Sequence, residues 1–167
     1  MAREQKRILH NIDPVYDADS RVLILGSFPS VKSREQKFFY GHPQNRFWKV
    51  LAGVLEGDAG RAPGTVAEKR AFLLSHGVAV WDVVGSCDIR GSSDASIKNV
   101  VPNDVGKIIE ASRIDRIFVN GKTAARYYDR YLKDRLGMQA VVLPSTSPAN
   151  AAWKLDRLIE AWGIINE

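Results

Sequence analysis

Cysteine is almost missing from this chain: Cys87 stands alone among 167 residues, which excludes an internal disulfide framework and any cluster held by several thiolates. A reducing cytoplasm fits that composition best. Histidine is also sparse, and His10, His42 and His76 show no metal-ligand spacing, so neither a metal nor a cofactor is expected. No apolar run approaches the roughly twenty residues of a membrane span, and the stretch MAREQKRILHN is too polar for a signal peptide. Repeats and low-complexity tracts are absent as well. The expectation is one domain over residues 1–167, soluble and monomeric.

What is present begins with charge. Twenty-four basic against nineteen acidic side chains give +5 and a pI near 9.4, a balance that favours a polyanionic partner such as DNA but equally suits a merely soluble surface. Arg21 to Phe28 read as a buried strand, because Val22, Leu23, Ile24 and Leu25 run without polar interruption and Gly26 and Pro29 then break it. Further strands are expected at 78–84, 116–120 and 140–143. Helices are expected at 45–55, 66–76, 122–136 and 149–162, with a short one from the cap Asn103 to Ser112. Thr65 and Glu68 have capping-box spacing, and Gly77 and Gly137 supply helix stops. The polar stretch 85–102 reads as a long loop.

Strands alternating with helices predict an α/β fold, a three-layer α/β/α sandwich with a four-stranded parallel central sheet. In such sheets the ligand sits beyond the carboxyl ends of the strands. Residues 27–30, 82–86, 120–121 and 143–147 would therefore meet along one edge.

Five segments with that placement carry a resemblance: GSFPS at 26–30, GHPQNRFW at 41–48, VWDVV at 80–84, VNGKTA at 119–124 and LPSTSPAN at 143–150. In order and spacing the chain resembles the uracil-DNA glycosylase superfamily, most closely its DNA-deoxyinosine (hypoxanthine-DNA) glycosylase branch. That resemblance implies an enzyme that flips a deaminated base out of DNA and hydrolyses its N-glycosidic bond without a lyase step. It implies Asn45 as the catalytic residue, holding water and favouring the cationic sugar. Phe47 is implied as the ring stacking on the base, with Phe39 or Tyr40 as a further wall and Phe28 lining the pocket. Asp82 would read the base edge, accepting from the N1–H of hypoxanthine while facing the bare N1 of adenine. Ser27, Ser30, Ser145 and Ser147 would hold the DNA backbone, and Asn150 would probe the gap in the stack. Phe28 stands where other branches place an aspartate or asparagine, and Leu143 where several have histidine.

The same residues have structural readings: Asn45 as a helix N-cap, Phe47 as core, Asp82 as a loop hydrogen bonder, and the serines and prolines as turns. Lys122, Arg126 and Arg130 read as a solvated helix face. Uracil- or mismatch-directed excision remains an alternative, as does a non-catalytic nucleic-acid-binding module on the same fold.

Overall fold

Val22 to Gly26 are buried without exception, as a strand covered on both faces must be. In the computed structural model, which describes residues 6–167, this strand lies at the centre of the main sheet. Residues 1–5 of the amino-terminal stretch lie outside the described residues.

The strands are β1 Lys6–Leu9, β2 Val22–Gly26, β3 Val78–Asp82, β4 Val84–Ile89, β5 Lys98–Pro102, β6 Arg116–Asn120 and β7 Ala140–Leu143. The α-helices are α1 Val31–Gln36, α2 Phe47–Leu55, α3 Val66–Ser75, α4 Gly106–Glu110, α5 Lys122–Tyr131, α6 Lys133–Leu136 and α7 Leu155–Trp162. The four expected strands form one sheet in the order β3-β2-β6-β7, every pair parallel. From β2 the chain passes to β3 on one side, and later strands build outward on the other. Right-handed crossovers then place α1–α3 and α4–α6 on opposite faces. This reversal between β2 and β6 opens a crevice at the carboxyl ends of the strands.

Several expected boundaries are corrected. The stretch 85–102 is not a loop: β4 and β5 pair antiparallel with each other, and β1 joins β4, making a second sheet of order β1-β4-β5. Two register shifts between β4 and β5 break the period-2 alternation that would have announced them. The helix expected from 149 starts at Leu155, because Arg46 captures carbonyls that a helix would need. The helix expected over 122–136 breaks at Leu132, and α1 was not anticipated. Asn103 does not cap a helix; its amide donates to the Asp82 and Val84 carbonyls (2.9 and 3.2 Å), stitching β3 to β4.

Other local signals hold. Thr65 Oγ1 accepts from the Glu68 N–H (3.1 Å), and Gly77 and Gly137 take positive φ after their helices. Among the described residues no helix is long and apolar enough to cross a membrane, and no group of three His, Cys, Asp or Glu side chains could hold a metal. Cys87 is buried, and that burial pushes its thiol up to about 11.

Candidate base-binding cavity

A cavity of about 260 Å³ lies at the carboxyl ends of β2, β3 and β6, at the small end of ligand pockets, roughly 300 Å³ upward. It suits a single base. Ser27, Phe28, Ser30, Tyr40, Asn45, Asp82, Ser145 and Ser147 all line it, so residues 120 positions apart in the chain meet as the sheet topology requires. Gly26 forms part of its floor, where a Cβ would fall 2.5 Å from Asp82 Oδ1 and 2.9 Å from the Tyr40 hydroxyl. Any side chain at Gly26 would displace those groups.

Phe47 is a correction. It is fully buried and does not border the cavity, because the Tyr40 ring stacks on it at 3.9 Å with a 19° interplanar angle. Phe47 also packs edge-on against Trp48 and Trp162. Phe28, Phe39 and Tyr40 are the phenyl and phenol rings that border the cavity, and of these Tyr40 is the one backed by Phe47. Tyr40 holds φ at +50°, a left-handed conformation that costs a non-glycine residue about 1–3 kcal/mol. Its hydroxyl is buried without a hydrogen-bond partner. Burial, with the Asp82 charge adding to it, holds that phenol well above its usual range despite the nearby Asn120 amide, so it stays neutral.

Asn45 sits on the cavity wall in a chain of neutral hydrogen bonds. Asn120 accepts from the Thr146 N–H (3.1 Å) and donates Nδ2–H to Thr146 Oγ1 (3.0 Å). The Thr146 hydroxyl must then donate onward to Asn45 Oδ1 (2.8 Å), which also accepts from the Phe47 N–H (3.0 Å). Two donors on one oxygen fix the amide orientation. Asn45 is not the N-cap, because α2 begins at Phe47 and Arg46 is its cap residue; the Asn45 oxygen is committed to the protein, and the NH₂ group is left for whatever enters. A donor does not favour a cation, which corrects that part of the expected role.

Arg46 explains the shape of the opposite loop. Its guanidinium donates to the carbonyls of Thr146 (3.4 Å), Ser147 (2.8 Å), Asn150 (3.1 Å) and Trp153, a fixed fork of donors matched to several acceptors. Asn150 is used inside that loop, donating to the Ser145 carbonyl (3.0 Å), rather than projecting from a helix start. Ser145 and Ser147 accept from the N–H groups of Ser147 and Ala149. Ser30 caps α1 by accepting from the Ser33 N–H (3.1 Å). Ser27 donates to Asp94 (3.3 Å), whose carboxyl is raised by burial first and by the Asp82 charge, the Ser27 hydroxyl opposing.

On the far wall Asp82 is nearly inaccessible and pairs with His10, Oδ2 to Nε2 at 2.8 Å. His10 and Arg46 were not singled out as site residues from the sequence, whereas Asn120 and Thr146 fell in the segments expected along the site edge without a role of their own. Arg46 lies inside a matched segment, where a charge entering an apolar helix was the available signal. His10 offered none.

The model of the Uracil DNA glycosylase superfamily matches residues 14–165. The chain belongs to this superfamily. It is 33% identical over 145 residues to a Methanosarcina acetivorans protein named hypoxanthine DNA glycosylase, covering 86% of this chain and 89% of that one. A Methanosarcina barkeri protein of the same name is 28% identical over 138 residues, covering 82% and 85%. A solution NMR structure from M. acetivorans, described as a candidate uracil DNA glycosylase, superposes with a TM-score of 0.77 at 26% identity over 96% of this chain and all of that one. Superfamily membership agrees with a small cavity beyond the strand ends.

Proposed function

We propose that the protein is a monofunctional DNA glycosylase that excises hypoxanthine from deoxyinosine sites, working as a monomer in the cytoplasm. The observation that carries this reading is the cavity chemistry: a carboxylate oxygen, Asp82 Oδ1, and an amide NH₂, from Asn45, border one base-sized space floored by Gly26. Relatives named hypoxanthine DNA glycosylase support it.

A base flipped into this space stacks on Tyr40. Hypoxanthine donates its N1–H to Asp82, whereas adenine presents a lone pair to the same oxygen and is rejected. Ser27, Ser30, Ser145 and Ser147 lie on the rim for the flanking phosphates. In the reaction the bond from C1′ to N9 breaks, water oxygen bonds to C1′, and the water proton ends on the departing purine. An amide is no general base, so Asn45 works by position: its N–H holds the water through one lone pair and leaves the other for C1′. A purine that can take a proton on its ring has less need of the histidine that Leu143 replaces.

The test uses duplexes carrying one deoxyinosine or one deoxyuridine, with alkali cleavage of the products. Strand scission at deoxyinosine, exceeding that at deoxyuridine, is expected. Preferred cleavage at deoxyuridine favours uracil excision, and binding without any abasic product favours a non-catalytic module.

A further inference from the structure

The amino-terminal segment is zipped onto the β3–β4 hairpin. β1 pairs residue by residue with β4, the His10 N–H donates to the Gly85 carbonyl (2.8 Å), and Val15 bridges Val80. Trp81 Nε1 donates to the Ile12 carbonyl (3.2 Å). This strap delivers the His10 ring to the inner side of Asp82, where the two side chains are only 3% and 5% exposed. Phe28, Phe39 and Trp81 enclose the imidazole at centroid distances of 6.0 to 6.3 Å.

The tautomer follows from the hydrogen bonds. The Ile12 N–H donates to His10 Nδ1 (3.3 Å), so Nδ1 carries a lone pair and Nε2 carries the proton that goes to Asp82 Oδ2. One carboxylate oxygen is thereby committed to a fixed donor. The other, Oδ1, is the one facing Gly26 and the cavity.

Building on the proposed excision of hypoxanthine, we propose that His10 is a positioning residue that holds Asp82 as an acceptor aimed at the ring N–H of the flipped base, setting the preference for bases with a ring N–H beside a carbonyl. Its donor locks the carboxylate plane and leaves Oδ1 as the oxygen turned to the cavity. A purely structural histidine would matter for stability but not for which group Asp82 presents.

Asp82→Asn separates the two roles. With His10 in place, the new amide must turn its oxygen to the Nε2–H and its NH₂ into the cavity, against the N1–H of hypoxanthine. Single-turnover excision from a deoxyinosine duplex should fall by about 100-fold or more, since a donor facing a donor leaves both unpaired. His10→Phe alone should lose about tenfold, the range of one hydrogen bond to a charged group. In the double variant the amide is free to turn its oxygen to the base, so excision should recover several-fold above Asp82→Asn alone. His10→Gln, which keeps an N–H donor, should lose less than His10→Phe.

Wild-type excision at His10→Phe, or a double variant slowed by the product of the two single losses, overturns the role assigned to His10. Should His10→Phe fail to fold, His10→Leu takes its place in the single and double variants and is read by the same outcomes, and a wild-type rate in Asp82→Asn alone also overturns the proposal. A wild-type protein that leaves deoxyinosine intact overturns the proposed function and this inference together, whereas a cleaving wild type with multiplicative losses removes this inference alone.

Discussion

The two walls of the cavity are built on different principles. One wall, from the ends of β6 and β7 and the start of α2, is a relay of neutral groups in which Asn120, Thr146 and Asn45 fix one another. The other centres on the Asp82 carboxylate of the edge strand β3, held by a histidine from the strap that β1 and β4 fasten. A neutral relay shares its hydrogen bonds among several partners, so it tolerates loosening at one link. A buried carboxylate with one fixed donor has no such reserve, and its partner must come from somewhere. Here it comes from a second sheet that forms no part of the main parallel one.

Behind both walls lies the aromatic support, and it gives the largest expected effect on stability. Phe47→Ala removes a fully buried ring packed on Tyr40, Trp48 and Trp162 and should lower the unfolding free energy by about 3–5 kcal/mol, measured by urea denaturation. Tyr40→Ala should destabilise less while abolishing more of the excision. The reverse pattern would make Phe47 the stacking ring after all. On the charged wall, His10→Phe should cost about 1.5–3 kcal/mol of stability. On the neutral wall, Thr146→Val removes the hydroxyl that links two amides and should cost about 0.5–1.5 kcal/mol, read in the same denaturation series. A Thr146 variant costlier than the His10 variant would invert the comparison between the walls.

The main sheet was legible because its strands are uninterrupted apolar runs bounded by Gly26, Gly77, Gly121 and Gly137, and because α3 announces itself with Thr65 and Glu68. The second sheet was not. Ser86, Cys87 and Asp88 occupy β4 with a bulged register, and β1 is four residues long and mostly exposed, so neither has a periodic signature. The late start of α7 was hidden for another reason: its apolar spacing is helical from 149 onward, but Arg46, a hundred residues earlier, claims the carbonyls of Ser147, Asn150 and Trp153. Tertiary hydrogen bonds overrode a local pattern.

Within the site, every residue named from the resemblance borders the cavity except Phe47 and Asn150. Tyr40 and Phe47 are separated by six residues and joined by a stack at 3.9 Å, and nothing in sequence tells which of two stacked rings faces outward. The distinction depends on the left-handed backbone at Tyr40. His10 lay beyond reach for the same reason as its strand: its function rests on long-range pairing with β4, not on any neighbour in sequence.

The central claim is that the Asn45 amide, held by Thr146 and the Phe47 N–H, presents its NH₂ to the reacting centre of a flipped deoxyinosine. Single-turnover excision by Asn45→Ala tests it most directly, with a thermal melt confirming that the fold persists. The account predicts a loss of about 10²–10³ in rate, the range for removing one preorganised donor, with DNA affinity little changed. Excision at the wild-type rate in a folded Asn45→Ala protein would contradict it.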